Sequence, residues 1–315
     1  MRFLVSLLLL CATTAVAQSY PTRAVRVLVG FPPGGGTDIM ARFLAPKLAE
    51  YLGQPFVVEN RPGATTNIAS DMVAKSAPDG HTLLFTTSAL AINMSLYKNL
   101  TFDALRDFAP ISVFADSPNL LVAHHSAGAS VKELLAKARA KPDSMNYSSA
   151  GAGTSQHLAG ELFKARTGVQ IQHIPYKGTA ASLTAVIAGE VQFSFANVPA
   201  ILGHVRSGRI HALAVLAEKR SGLMPDVPTM KEAGVDGVVV PVWYALLAPA
   251  ATPREIVKAL GDATARAARA PDLNQKLIEQ GAEPVGNTPE EFSKLLREEV
   301  TRWAEVVRVS GAKAE

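Results

Sequence analysis

The sequence predicts an α/β fold of strand–helix–strand units divided into two domains, and three observations predict it. From Val25 onward, short apolar runs of strand type alternate with runs of helical period, the pattern of βαβ units on a largely parallel sheet. The chain has 315 residues, 48% hydrophobic and 18% charged, which is more than one core usually organises. Two glycine–hydroxyl loops, Phe31–Asp38 and Ala150–Ser155, each stand between an expected strand and an expected helix. Placed in successive βα series, two such loops can face each other across a cleft.

The elements follow in order. Val25–Val29 is β-branched and nearly all apolar, as in a buried parallel strand. The first glycine loop follows it, and Thr37 is the expected N-cap of a helix beginning near Asp38. Ile39, Phe43, Leu48 and Leu52 carry that helix to Gly53, with Pro46 inside it expected to kink or split it. Phe56–Glu59 is the next strand, Asn60–Ala64 a turn, and a helix runs from Thr66 or Asn67 to Ser76. Thr82–Thr86 is the third strand and ends in Thr87-Ser88, hydroxyls at the carboxyl end of a strand, where open α/β sheets bind ligands. The same two residues also fit a simple cap on the next helix. Phe108–Val122 reads as strand, turn and strand, with Asn119–Ala123 leaving the first unit.

A second series begins with a helix over Val131–Ala140 and a strand over Met145–Ser149. The second glycine loop opens a helix through Leu158, Leu162 and Phe163. Strands are expected over Ile171–Tyr176, Val191–Phe195, Arg209–Ala217 and Val239–Leu247, with a helix over Ala181–Ala188. The remainder reads as helical: Thr252-Pro253 caps a helix from Arg254 to about Ala268, and Thr288-Pro289-Glu290-Glu291 starts the last one. Phe292, Leu295, Leu296, Trp303, Val306 and Val307 form one stripe on that helix, expected to pack into the core.

The opening residues read as an export leader. Arg2 is a positive start, Phe3–Leu10 an apolar stretch too short to span a bilayer, and Ala15-Val16-Ala17 a small-x-small cleavage site. A mature chain from Gln18, outside the cytoplasm, is expected. The single cysteine, Cys11, lies in the leader, with Leu10 where a lipoprotein would need a small residue. Disulfides and thiolate chemistry are therefore excluded from the mature chain. The net charge of +4 is scattered, with no arginine-rich helix or basic–aromatic ladder, so nucleic acid is not an expected partner.

The physics of the loops points to anions. Consecutive glycines leave backbone N–H groups uncovered, and the first N–H groups of a helix have no internal partner. Together with the positive end of the helix dipole they make an anion site. Taken alone, Gly34-Gly35-Gly36 also fits a flexible turn. Enzymatic patterns are missing. Gly34-Gly35-Gly36-Thr37 lacks a P-loop lysine, Gly151-Ala152-Gly153-Thr154-Ser155-Gln156 fails the dinucleotide fingerprint at its third glycine, and no Gly-x-Ser-x-Gly occurs. His124 and His125 are adjacent, so on a strand they face opposite ways, and His157, His173, His204 and His211 follow no metal-ligand spacing. No metal, cofactor or catalytic group is expected. Asp38, as a conceivable base, fits better as an acceptor for nearby amides.

Several motifs in one order carry a family resemblance: Phe31-Pro32-Pro33-Gly34-Gly35-Gly36-Thr37-Asp38, Glu59-Asn60-Arg61-Pro62-Gly63-Ala64, Ala77-Pro78-Asp79-Gly80, Ser149-Ala150-Gly151, Gly153-Thr154-Ser155, Pro175-Tyr176-Lys177-Gly178, Asp226-Val227-Pro228-Thr229 and Leu247-Ala248-Pro249. The chain resembles the substrate-binding proteins of tripartite tricarboxylate transporters, the Bug receptors, from Tyr20 to near its end. The resemblance implies a type II periplasmic-binding-protein fold, two α/β lobes with a ligand cleft between them, in a monomeric periplasmic receptor. The lobes would comprise 18–121 with 243–315, and 122–242, after a leader of 1–17. It implies capture of a small organic acid, whether dicarboxylate, tricarboxylate or aromatic carboxylate, and delivery to membrane transporter subunits or signalling to a sensor kinase. Carried over by motif, the ligand-binding residues are Phe31, Pro32, Gly34, Gly35, Gly36, Thr37 and Asp38 in one loop and Ser149, Ala150, Gly153, Thr154 and Ser155 in the other. Thr87, Ser88, Tyr176, Lys177 and Asn197 would line the rest. Two departures stand out: Ala196-Asn197 replaces the Asp-Asn pair of many members, which argues for a ligand without an ammonium group, and Thr65-Thr66 replaces glycines at the expected pocket rim.

Overall fold

The structure, a computed structural model, describes residues 20–314. The expected leader and Cys11 lie outside the described residues. The fold is two α/β lobes. Strands β1 (Val25–Val29), β2 (Phe56–Asn60) and β3 (Thr82–Thr87) run parallel in the order β2-β1-β3, with Val25 opposite Phe56 and Arg26 opposite Thr82. Helices α1 (Gly36–Leu52) and α2 (Asn67–Ala74) connect them, and α3 (Ala89–Leu96) follows β3. In the other lobe, α4 (Val131–Ala140) leads into β5 (Asn146–Ser149). That strand lies parallel to both β6 (Gln172–Pro175) and β7 (Phe193–Asn197). Helices α5 (Ser155–Thr167) and α6 (Thr179–Ile187) make the crossovers, α7 (Val198–Arg206) follows β7, and β8 (His211–Val215) closes the series.

One strand belongs to both sheets. β4 (Phe108–Ala123) is a single 16-residue strand, not the strand–turn–strand expected from sequence. Its first part pairs antiparallel with β9 (Pro241–Pro249), ending at Pro118 opposite Pro241, and from Asn119 onward it pairs with β7 and β8. Pro118 has no N–H to give a ladder, and it sits where the partner changes, so the residue that looked like a turn is tolerated inside a strand. Register shifts near Pro110 and after Val113 absorb the other irregularities. The return strand β9 lies two residues later than expected and also pairs with β3.

The carboxyl-terminal part contains α8 (Arg254–Arg269), α9 (Pro271–Glu279), the short β10 (Glu283–Pro284) on β4, and α10 (Pro289–Ser310). Sequence reasoning missed β10, which is two residues long. At α10 the Thr288 hydroxyl accepts from the Glu291 amide and Glu291 answers with its carboxylate, a capping box. The α10 stripe packs as expected: Phe292, Leu296 and Trp303 are buried, with Leu295, Val306 and Val307 against the same apolar cluster. That cluster runs through both lobes, from Leu28 and Leu84 to Tyr147 and Phe193. The opposite face of each sheet has its own cluster, around Met40, Leu44 and Leu246 in one lobe and around Val122, Val186 and Ile201 in the other.

The start of α1 differs from expectation. Gly35, extended at φ −83°, ψ 166°, is the N-cap and makes no side-chain capping bond, so Thr37 lies inside the helix. Gly34, at φ +84°, makes the turn before it, and this left-handed conformation is what the glycine run supplies. Pro46 neither splits nor ends the helix. It and Arg42, whose carbonyl it leaves without a helical partner, are both exposed, so water can meet that carbonyl. At α8, Pro253 is the N-cap itself and Thr252 contributes no bond to it.

Candidate functional site

The first glycine loop is held from outside by a carboxylate. Asp38, in the first turn of α1, accepts from the Gly34 amide at 3.0 Å, from Arg42 Nε at 3.0 Å and from Asn60 Nδ2 at 2.9 Å. Asn60 also donates to the Phe31 carbonyl, tying the loop to the end of β2. Burial alone would raise the pKa of Asp38, but the bonds from Arg42, Gly34 and Asn60 outweigh it and hold the carboxyl below its ordinary value. With Gly34 thus occupied, the amides of Gly35, Gly36, Thr37 and Asp38 find no partner among the described residues.

The second loop is held from inside and spends more of its own amides. Ala150 N–H donates to Gln156 Oε1, Gly151 N–H to Ser149 Oγ, Gly153 N–H to His157 Nδ1 and Thr154 N–H to the Gly151 carbonyl. Thr154 is the N-cap of α5, its hydroxyl accepting from the His157 amide. The amides left without a partner among the described residues are that of Ala152 and, at the start of α5, those of Ser155 and Gln156. Gln156 Nε2 reaches on to Thr179 Oγ1 at 3.1 Å, linking this loop to the start of α6. The Asn119 amide group, at the strand changeover, donates to Ser155 Oγ.

Both loops border one narrow cavity between the lobes. Phe31, Pro32, Pro33, Gly35, Gly36 and Thr37 form one wall; Ala150, Thr154, Ser155 and Gln156 form the facing one. Thr87, Lys177, Gly178, Thr179, Ala180, Asn197 and Val242 complete it. The starts of α1, α5 and α6 therefore meet at a single space, together with Asn197, the N-cap of α7. Lys177 is the one charged residue of the wall. At the floor, Asn197 Oδ1 and the Tyr244 hydroxyl are buried without a partner among the described residues. A Cβ on Gly36 would overlap Asn197 Oδ1 and come within 2.9 Å of the Tyr244 oxygen, so no larger residue fits there.

Six of the residues singled out from sequence do not line this cavity. Gly34 and Asp38 are engaged with each other behind the first loop. Ser149 and Gly153 serve the internal bonding of the second loop. Tyr176 packs its ring against the apolar cluster around Leu183 and Val186, and Ser88 is buried as the N-cap of α3 without a side-chain capping bond. Conversely, sequence reasoning missed Pro33, Gln156, Gly178, Thr179, Ala180 and Val242 on the wall and Tyr244 beneath it. Gly178-Thr179 repeats the glycine–hydroxyl step before a helix, and that signal was available.

The two departures from the family pattern behave differently. Ala196 is fully buried in the apolar cluster with Leu120 and Val122, on the strand face opposite Asn197, and is absent from the cavity wall. Position 196 thus gives no argument about a ligand ammonium, and that argument is withdrawn. Thr65 and Thr66 do sit at the rim, in left-handed conformation at φ 47° and 73°, after Ala64 at φ 43°. Left-handed β-branched residues are strained, by about 1–2 kcal/mol each. Glycines would occupy this turn without strain. The turn brings the Thr65 hydroxyl toward the opposite lobe, 3.1 Å from where a Cβ on Gly151 would lie. Beside it, the Tyr97 hydroxyl donates across the cleft to the Ala152 carbonyl at 3.0 Å.

Known proteins are similar to this chain in sequence and in fold. BugT of Bordetella pertussis is 40% identical over 305 residues, covering 96% of this chain and 94% of its own length. The solved structure of R. palustris Rpa4515 with adipate has 38% identity and a TM-score of 0.91, covering 94% of this chain and all of that one. MatC from Rhodopseudomonas palustris, with bound malate, has 32% identity and a TM-score of 0.87, covering 91% of this chain and all of that one. The model of the tripartite tricarboxylate transporter family receptor matches residues 40–311. With a family-model match over most of the chain and a 40% identical relative over nearly its whole length, this protein belongs to the tripartite tricarboxylate transporter receptor family.

Proposed function

We propose that this chain is a periplasmic receptor that captures a small dicarboxylate between its two lobes and presents it to a membrane transporter. The observation that carries this reading is the convergence of unpartnered helix-start amides, from Gly35 to Thr37 and at Ser155 and Gln156, on one cavity with no acidic residue in its wall. An anion there meets neutral donors and positive helix ends, which stabilise it without a buried counter-charge that would need its own desolvation. Thr37, Thr87, Thr154, Ser155 and Thr179 add hydroxyls, and Lys177 is placed to meet a second carboxylate near the opening. Adipate and malate in the R. palustris relatives support a dicarboxylate over a monoacid.

Function would follow from closure. Each lobe supplies half of the donors, so the ligand gains its full set only when the lobes shut, and binding shifts the population toward that state. The lobes would turn about the strands crossing at Pro118 and Pro241, close to the boundaries expected at 121/122 and 242/243. A receptor is supported by the family, whose matching model describes a transporter receptor.

A thermal-shift screen of the chain from Gln18 against organic acids tests this reading. A true ligand at about 100 times its Kd adds roughly 2.7 kcal/mol and raises the melting temperature by several degrees. Shifts confined to dicarboxylates are expected. A larger shift with monocarboxylates than with every dicarboxylate would overturn the ligand class.

A further inference from the structure

A buried histidine and a half-buried one stand behind the second loop, and neither lines the cavity. His157 lies in the first turn of α5 and His173 on β6; their rings stack at 4.3 Å between centroids and 20° between planes. The Tyr147 ring stacks on the other face of His173 at 4.8 Å. His157 Nδ1 accepts the Gly153 amide at 3.2 Å, so this nitrogen carries no proton. His173 Nε2 lies 2.7 Å from Ser149 Oγ, the oxygen that takes the Gly151 amide and also bonds the Gly151 carbonyl. Between them the two rings fix both ends of the turn Ser149–Gly153.

On α5, Glu161 accepts from Lys164 at 3.0 Å and from the Tyr147 hydroxyl of β5 at 2.7 Å. Phe163, Phe193 and Phe195 enclose the rest of the stack. Burial, which disfavours a charged ring, pushes His157 down to about 4 and His173 to about 3, although Glu161 acts in the opposite sense on His157.

Resting on the receptor reading above, we propose that His157 and His173 are positioning residues for the ligand. Held neutral, they lock the second loop in the conformation that aims the Ser155 and Gln156 amides into the cleft. A proton on His157 turns its acceptor into a donor facing the Gly153 N–H, and the turn must open. Ligand affinity is thereby tied to the charge state of a pair of rings that the ligand never meets.

The test is calorimetric titration of adipate into wild type, His157→Phe and His157→Asn. Phenylalanine keeps the stacked ring but leaves the Gly153 N–H without an acceptor, and the Kd is expected to rise about tenfold or more. Asparagine places an acceptor oxygen near the Nδ1 position and is expected to recover most of that loss. Wild-type affinity should fall through about pH 4 more steeply than in the asparagine variant, where only the carboxylates of adipate take up protons. Ring nitrogen NMR of wild type reads the same claim without ligand: His157 protonated on Nε2 alone and untitrated at pH 5.5. Unchanged affinity in His157→Phe, or a His157 ring that titrates near 6.5, overturns the proposal. If adipate and the whole acid panel fail to bind wild type, the receptor reading fails, and the NMR result alone decides whether the loop lock exists.

Discussion

The two glycine loops look alike in sequence and are built in opposite ways. The first is braced from the surface by an ionised carboxylate, Asp38, with Arg42 and Asn60 around it, and leaves four consecutive amides free. The second is braced from the core by neutral rings and an amide, His157, His173 and Gln156, and among the described residues leaves free the Ala152 amide and the two helix-start amides of Ser155 and Gln156. The difference teaches that glycine and hydroxyl composition marks where an anion can sit, while the bracing decides which amides remain to meet it. It also gives the lobes different sensitivities. Charge and salt should reach the first loop, and packing and acid the second.

The largest separation between the loops should come from Gly160, where a Cβ would run into the Tyr147 ring that carries the histidine stack. Gly160→Ala should cost about 3 kcal/mol, at the high end for overpacking, in denaturant unfolding. The next effect is in acid. Above pH 6.5, His157 and His173 are neutral in folded and unfolded chain alike and add nothing. As the pH falls from 6.5 toward 4, the unfolded chain takes up protons that the folded rings refuse, so stability is lost through that window. Asp116, pushed up to about 6 by burial and by the charge of Glu283, works the other way between about 4 and 6, because its folded form keeps a proton that the unfolded form releases. Two rings against one carboxyl leave a net loss on the order of 3 kcal/mol between pH 7 and pH 4, to be read from urea midpoints.

Smaller is the change expected for the first loop. Asp38→Ala leaves the Gly34 amide and Asn60 without their acceptor and should cost about 2 kcal/mol, with affinity reduced about tenfold. Arg42 is half exposed, so its share is small and high salt should reproduce part of it. The smallest effect belongs to the bond across the cleft: Tyr97→Phe removes the hydrogen bond to Ala152 and should raise the Kd by about threefold. An equal response of both loops to salt and to acid would dissolve the distinction between them.

Local signals made much of this legible. β1, β3 and α5 announce themselves by apolar period, and each glycine–hydroxyl loop sits between a strand and a helix as expected. What could not be read depends on partners far away in sequence. Asp116-Ser117-Pro118-Asn119 has the composition of a turn, and only the exchange of β9 for β7 and β8 makes it strand. Asp38 is a brace because β2 delivers Asn60 to it, and His173 meets His157 because β6 lies beside β5. Ala196 was read as facing the ligand from a family pattern, whereas strand alternation around Asn197 turns it into the core. The wall residue Thr179 was within reach, since Gly178-Thr179 repeats the device already recognised twice.

The account's central claim is that a carboxylate sits against the free amides of α1, directly above Asn197 and Tyr244. Titrating adipate into wild type, Gly36→Ala and Gly34→Ala by calorimetry tests it most directly. At Gly36 a new methyl group would fill the floor of the cavity, whereas at Gly34 nothing lies within 4 Å and only a left-handed backbone resists, at about 1 kcal/mol. The account predicts one site in wild type, binding within about fivefold of it for Gly34→Ala, and a loss of at least about a hundredfold for Gly36→Ala. Wild-type affinity in Gly36→Ala would place the ligand elsewhere and contradict the account.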